Sequence, residues 1–371
     1  MHHSLVLGGA TGKALRELDR LVRKFIRRWL HLPHDTPIGY FHASVGDGGL
    51  GIPALSTTIP RLRADRTKRL QLSKIPLVKW LLSDPAIATA TLKDSSVETI
   101  RVRTHRINIG TKEEARDSWR KSLVEERFDG RGLAIARLAH QSSKWLTQRN
   151  CGITPKEYVK AVAVRCNLLK TPARSGRGGR GNIYCPQCRT QIAGLGHILQ
   201  RCPLSHGYRV DRHDSVARLI IASIRNRLKG AIIVEEPVIS KEGTELKRRE
   251  ADSMVPDIVI YHNGDLTIID PTVISDHSTW GDLGSVGKSK SEKYDNEAMR
   301  RWARERFAKG KELKSFQALG LPITWRGLWR PRDLNAIILR LSLNKNLQVL
   351  LAIRTLVFGW RIWNSFCQQR T

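Results

Sequence analysis

The sequence predicts an α+β fold, with a helical N-terminal half, a small cysteine-and-histidine knuckle, an α/β core and a helical C-terminal tail. Three observations predict it. Apolar residues recur at helical spacing near the N-terminus, four sulfur and imidazole groups crowd between positions 185 and 202, and two β-branched runs flank an Asn-Gly pair at 263–264. A chain of 371 residues, 40% hydrophobic and 26% charged, is long enough for two or three domains.

From Ala14 to Leu30, Leu15, Leu18, Leu21, Val22, Phe25, Ile26 and Trp29 fall at helical spacing. Arg16, Arg20, Arg23, Lys24, Arg27 and Arg28 occupy the rest of the helix surface, so one face packs and the other meets phosphate or water. Turns follow between Pro33 and Pro53, and the stretch from Arg61 to Asn150 reads mainly as helical scaffold. Gly8, Gly9, Gly12 and Lys13 imitate a phosphate-binding loop, but Leu7 and Ala14 stand where the Walker pattern needs Gly and Ser or Thr.

Charge narrows the function classes. Lys and Arg number 64 against 34 Asp and Glu, a net charge of +30. Such a chain repels itself unless an acidic polymer shares the work, and nucleic acid is the obvious one. A ribosomal protein has the same balance but is usually shorter and carries no paired acids. An anionic membrane surface is disfavoured because no basic amphipathic helix stands apart. The apolar stretch from Leu347 to Trp363 is interrupted by Arg354 and Arg361 and reads as a buried helix, and no membrane partner is expected.

Between Lys170 and Gly181 the run Thr-Pro-Ala-Arg-Ser-Gly-Arg-Gly-Gly-Arg-Gly is expected to avoid regular structure and to act as a linker or phosphate-gripping loop, through Arg174, Arg177 and Arg180. Cys185-Pro-Gln-Cys188 then sets two thiolates in one turn, and His197 and Cys202 complete a Cys-x2-Cys-x8-His-x4-Cys spacing. That is metal spacing, since Cys151, Cys166 and Cys367 lie apart and form no disulfide framework. Four such ligands make a closed tetrahedral Zn²⁺ site with a structural role. The bland alternative is a buried Cys pair beside a surface His, and His206 and His213 could replace His197.

A helix is expected from Ser215 to Lys229, followed by a region of alternating Ile and Val. In it, Asn263-Gly264 is the preferred pair for a two-residue type I′ hairpin. Asp257 and Asp270 lie equally far from that turn, so they face each other on one side of the sheet, with Cβ atoms about 4.5–5.5 Å apart. Like charges so placed are unfavourable unless a cation lies between them. Two converging carboxylates suit Mg²⁺ and phosphodiester hydrolysis, and a nearby Lys assists. Lys288, Lys290 and Lys293 follow, with Tyr294 adjacent to the last. The competing reading is a hairpin ended by solvated aspartates and a merely solvated basic run.

Taken in order, these residues resemble the downstream part of the polyprotein of site-specific non-LTR retrotransposons of the R-two type. Trp29-Leu30-His31-Leu32-Pro33, Phe41-His42-Ala43 and Gly48-Gly49-Leu50-Gly51-Ile52-Pro53 resemble the thumb and the start of the linker. Asn167 with the Arg/Gly loop, the knuckle, Arg212-His213-Asp214, Pro256-Asp257 and Lys290/Lys293-Tyr294 resemble the linker, zinc knuckle and restriction-like endonuclease. Gly320-Leu321-Pro322 and Trp325-Arg326-Gly327-Leu328-Trp329 resemble the C-terminal region.

The resemblance implies a thumb-like segment at 1–75, a helical linker at 76–180, the knuckle at 181–215, a restriction-endonuclease-like α/β core at 216–310 and a helical region at 311–371. It implies Mg²⁺-dependent nicking of double-stranded target DNA for target-primed reverse transcription. Asp257, Asp270, Lys290 and Lys293 would be the catalytic set, and Arg212 and His213 would contact nucleic acid. Element RNA is the second expected partner and the nucleus the expected compartment. No Asp-Asp pair occurs, so polymerisation is not expected of this chain, which reads as a fragment of a larger polyprotein. The chain departs from the usual nuclease pattern in having Thr272 two residues past the second acid and Val255 before Pro-Asp. The lysine role therefore passes to Lys290 or Lys293, and Glu235 or Glu236 would complete the metal shell. The rival function is a binding module whose nuclease site has decayed.

Overall fold

The structure, a computed structural model, describes residues 2–85, 99–102, 105–108, 110–148, 151–179, 181–276 and 280–368. It separates into two compact units, Met1–Arg131 and Gly132–Thr371. The division falls inside the expected linker at 76–180, and the expected core and tail share one unit.

The first unit holds α1 (His2–Leu7), α2 (Gly12–Trp29), α3 (Ile38–His42), α4 (Leu55–Gln71), α5 (Pro76–Leu82), the strands β1 (Thr99–Val102) and β2 (His105–Asn108), and α6 (Lys112–Val124). Thr11 caps α2 by accepting from the Ala14 N–H at 3.3 Å. Leu15 of α2 meets Leu55 and Ile59 of α4 in a small buried cluster. The hairpin of β1 and β2 interrupts what the sequence suggested was helical scaffold.

The second unit begins with α7 (Pro155–Arg165), α8 (Pro172–Ser175), α9 (Leu195–Gln200) and α10 (His206–Arg227). It continues through β3 (Ile232–Glu235), β4 (Ile258–His262), β5 (Asp265–Ile274), α11 (Trp280–Tyr294), α12 (Glu297–Ala308), β6 (Ser315–Thr324), α13 (Pro331–Arg340) and α14 (Asn346–Gln368). The sheet order is β3-β4-β5-β6, antiparallel except for the parallel pair β5 and β6. The region from 311 onward is therefore not wholly helical, because it supplies the edge strand β6. Val259, Leu266, Ile268 and Ala318 of the sheet bury one face against Tyr294, Met299 and Trp302 of α11 and α12. The tail helix α14 lies against α10 and α7.

The Arg/Gly run also departs from expectation at its start. Thr171 accepts from the Arg174 N–H at 3.1 Å and Pro172 holds the first helical position, so one turn of helix forms before the glycines take over. No described helix is long and apolar enough to cross a membrane.

A candidate metal and nuclease centre

The hairpin forms where the sequence places it. Asn263 and Gly264 both adopt positive φ, 53° and 92°, as a type I′ turn requires. The five pairs from His262↔Asp265 to Ile258↔Ile269 keep the expected register. Continuing that register sets Asp257 opposite Asp270. Antiparallel pairing ends at Ile269, so Pro271 falls outside it, and its carbonyl accepts from His213 Nε2 at 3.0 Å.

Asp270 is 2% exposed. Burial raises its pKa first, and the charge and hydrogen bond of Asp257 raise it further, against the pull of Lys290. Lys290 Nζ donates to both carboxylate oxygens of Asp270, at 3.0 and 3.2 Å. Lys290 is aimed there by a close helix-to-strand contact. Gly320 of β6 lies so near α11 that a Cβ would stand 2.4 Å from the Gly287 carbonyl oxygen and 2.6 Å from Lys290 Cβ. Ser291 bridges the same contact, accepting from the Gly320 N–H at 2.9 Å and donating to Gly287 O at 3.0 Å.

Lys293 does not join the acids. It is exposed, and its ammonium sits 4.9 Å from the ring centroid of Tyr294. Tyr294 is buried with its hydroxyl donating to Val255 O at 2.8 Å, and burial together with the charge of Asp270 pushes its pKa up. Lys288 pairs with Glu292 at 3.4 Å on the surface.

The group the sequence placed elsewhere is His213. Helix α10 carries it to Asp257, whose Oδ2 lies 3.0 Å from Nε2, while Nδ1 lies 3.2 Å from Asp214 Oδ1. Its pKa rises to about 9, chiefly through the Asp257 hydrogen bond. The signal that could have found it is Asp214 next in the chain, since an acid beside a His often fixes its ring. Arg212, expected to contact nucleic acid, is 1% exposed and donates to Leu199 O at 3.2 Å and Gln200 Oε1 at 3.3 Å. It is an interior residue here, because its position on α10 faces α9. Glu236 lies beside the acids in the sheet, its backbone N–H donating to Asp257 O at 3.2 Å. Glu235 and Glu236 are both exposed, and Glu235 pairs with Arg225 at 2.9 Å.

Among the described residues, Cys185, Cys188 and His197 form a set whose ligand atoms all lie within 4.8 Å of one another. Cys202 stands outside that set but beside Cys185, Sγ to Sγ 3.8 Å, and Cys188 Sγ is 3.6 Å from His197 Nε2. Zn–S bonds of about 2.3 Å and Zn–N bonds of about 2.05 Å in a tetrahedron imply edges of about 3.8 Å and about 3.6 Å, so the donor spacing fits zinc. His197 Nδ1 faces Gln191 Oε1 at 2.9 Å, which leaves Nε2 with the lone pair, and burial lowers its pKa and keeps it neutral. Cys188 is lowered although desolvation acts the other way, because the N–H groups of Thr190 and Gln191 favour its thiolate. His206 lies near Arg209 and His213 near Asp257, so neither replaces His197.

Of the loop arginines, Arg174 turns inward and donates to Asn167 O at 2.9 Å, Arg177 is exposed, and Arg180 lies outside the described residues.

No protein-family model matches the chain. It is 32% identical over 334 residues to the retrovirus-related Pol polyprotein from the type-1 retrotransposable element R2 of Nasonia vitripennis, covering 89% of this chain and 30% of that protein. It is 29% identical over 353 residues to the Pol polyprotein from the type-2 element R2DM of Drosophila melanogaster, covering 93% and 31%. A type-1 R2 Pol polyprotein of Popillia japonica is 30% identical over 341 residues, covering 90% and 64%. The chain thus spans about a third of the length of the first two relatives.

Proposed function

Because this chain is homologous to R2 retrotransposon Pol polyproteins along about nine-tenths of its length, we propose that its second unit is a divalent-cation-dependent endonuclease that nicks DNA, with a zinc knuckle beside it. The observation that carries the reading is the convergence of Asp257, Asp270 and Lys290 at one end of the β4–β5 hairpin.

The residues fit a hard cation. Asp257 and Asp270 are oxygen donors with like charge in close contact, one of them nearly dry, and that arrangement asks for positive charge between them. These two would hold Mg²⁺, which when bound offsets phosphate charge and lowers the pKa of a water nucleophile. The chain's own groups do the rest. Asp270 fixes the Lys290 ammonium, which is placed to draw a phosphate oxygen or to orient the attacking water. His213 engages Oδ2 of Asp257 at 3.0 Å and so restrains that carboxylate. The knuckle, with Cys185, Cys188, His197 and Cys202, would hold Zn²⁺ with no open position and so act structurally. Target DNA, element RNA and a nuclear setting belong to the same reading.

Single-turnover nicking of plasmid DNA at saturating protein tests it. Asp257→Ala and Asp270→Ala should each lower the rate at least about a hundredfold with affinity for DNA retained, and the double variant should be no worse than either. A double variant that nicks at the normal rate rejects the site. Elemental analysis should find one zinc per chain, lost in Cys185→Ser/Cys188→Ser, and a zinc-free protein would reject the knuckle.

A further inference from the structure

Arg212 and His213 are neighbours on α10, and each holds a different part of the second unit. Arg212 Nη2 donates to Leu199 O at 3.2 Å and to Gln200 Oε1 at 3.3 Å. Both acceptors lie between the knuckle residues His197 and Cys202, a stretch closed on itself by the Cys202 N–H donating to His197 O at 2.9 Å. One turn earlier on α10, Arg209 Nη1 donates to Cys202 O at 2.9 Å. His213 reaches the other way, its Nε2 meeting Asp257 Oδ2 and Pro271 O, each at 3.0 Å. Successive residues of a helix are about 1.5 Å apart along its axis, so the two anchors cannot shift independently. Gln200 Nε2 closes the circuit by donating to Ile274 O at 3.0 Å, at the end of β5.

Arg212 is also a buried cation in need of a counter-charge. It is 1% exposed, its acceptors are neutral, and its Nε and Nη1 make no hydrogen bond among the described residues. Arg209 adds a charge of like sign. A buried guanidinium so placed is unfavourable unless negative charge lies close by. A knuckle of three thiolates and a neutral imidazole around Zn²⁺ carries one net negative charge, and two of its ligands flank the residues that Arg212 grips.

We infer that Arg212 is a positioning residue that links the two metal sites, so that zinc in the knuckle raises the divalent-cation affinity of the Asp257 and Asp270 pair. Zinc fixes His197 and Cys202, the segment between them holds Arg212, and α10 then keeps His213 against Asp257. Without zinc that segment loosens, and the carboxylate loses its restraint. Binding linkage is reciprocal, so a cation at the acids tightens zinc by the same factor, within the about 5- to 150-fold usual for coupled sites. The inference rests on the nuclease reading for what the acids bind, and it adds how that site is set.

The test needs no DNA and no turnover. Mn²⁺ binding to the full chain is read from the electron paramagnetic resonance of the free ion. Arg212→Met should keep its zinc yet weaken Mn²⁺ binding about tenfold, as should the zinc-losing Cys185→Ser/Cys188→Ser. In a His213→Ala background Arg212→Met should cost nothing further, because both act through the same ring. Full Mn²⁺ affinity in zinc-loaded Arg212→Met, or losses that add, overturns the link and leaves the nuclease reading intact. Mn²⁺ that binds equally to Asp257→Ala/Asp270→Ala sinks the nuclease reading and the link together. If Arg212→Met folds poorly, the unaltered protein decides. At constant ionic strength, saturating Mg²⁺ should raise its zinc affinity by about the same tenfold, read by competition with pyridylazo-resorcinol, and should do nothing in Asp257→Ala/Asp270→Ala. Equal zinc affinity with and without Mg²⁺ in the unaltered protein overturns the proposal.

Discussion

His213 and Asp257 are joined by a 3.0 Å contact from Nε2 to Oδ2, and the other ring nitrogen of His213 faces Asp214 Oδ1 at 3.2 Å. With oxygen acceptors on both nitrogens, the ring donates twice and fixes the rotamer of the acid. Removing such support commonly weakens metal affinity about 10- to 100-fold. His213→Ala should therefore raise the Mg²⁺ concentration for half-maximal nicking by at least about tenfold, and Mn²⁺ titration should show the same weakening without turnover. Unchanged Mn²⁺ affinity would show that His213 does not set the site.

Lys290 and Lys293 should separate. Lys290 touches the buried Asp270, whereas Lys293 is exposed against Tyr294. Lys290→Ala should slow single-turnover nicking by about 100-fold or more, a rise of roughly 3 kcal/mol in the barrier, while Lys293→Ala stays within about threefold. The reverse ranking would reassign the lysine.

Gly320→Ala tests how the lysine is aimed. The added methyl meets a backbone carbonyl 2.4 Å away, which no side-chain rotation relieves. Overpacking of this kind costs about 1–3 kcal/mol, so denaturant unfolding should show that loss, and nicking should fall more than stability does. Full activity would mean that Lys290 reaches Asp270 without this contact.

His42 gives a pH dependence. Burial brings its folded pKa to about 4, below the 6.5 of the free side chain, so between those values the unfolded chain binds the extra proton. Stability of the first unit should fall as pH drops from about 6.5 and level off near 4, by about 3 kcal/mol in all. His42→Asn should lose that acid limb while the limb due to carboxylates remains. Identical limbs in the two proteins would refute the assignment.

The hairpin was legible because its signal is local, with Asn263-Gly264 dictating the turn and the turn dictating the register that opposes Asp257 to Asp270. Strand β6 was not, since Ser315–Thr324 shows no clean alternation and its partner lies far back in the chain. For His213 the sequence suggests only a nucleic-acid contact, because its partner Asp257 is 44 residues away and adjacent Asp214 is the one local hint of the pairing. Arg212 misled for a simpler reason. Arginine is usually at the surface, and only the packing of α10 on α9 shows this one turned inward.

The parallel pairing of β5 with β6 has a consequence for the order of assembly. The β4–β5 hairpin can close as soon as both strands exist, on a scale of about 1–10 μs. Its outer edge then waits through α11 and α12 for Ser315–Thr324 to arrive, and Gly320 arrives with that strand to lock Lys290 in place. During synthesis the hairpin is thus the early part of the proposed nuclease site and the lysine its latest. A chain halted before Ser315 would carry an unpaired, apolar strand edge of the kind that joins to other chains, so incomplete products should aggregate where complete ones stay dispersed.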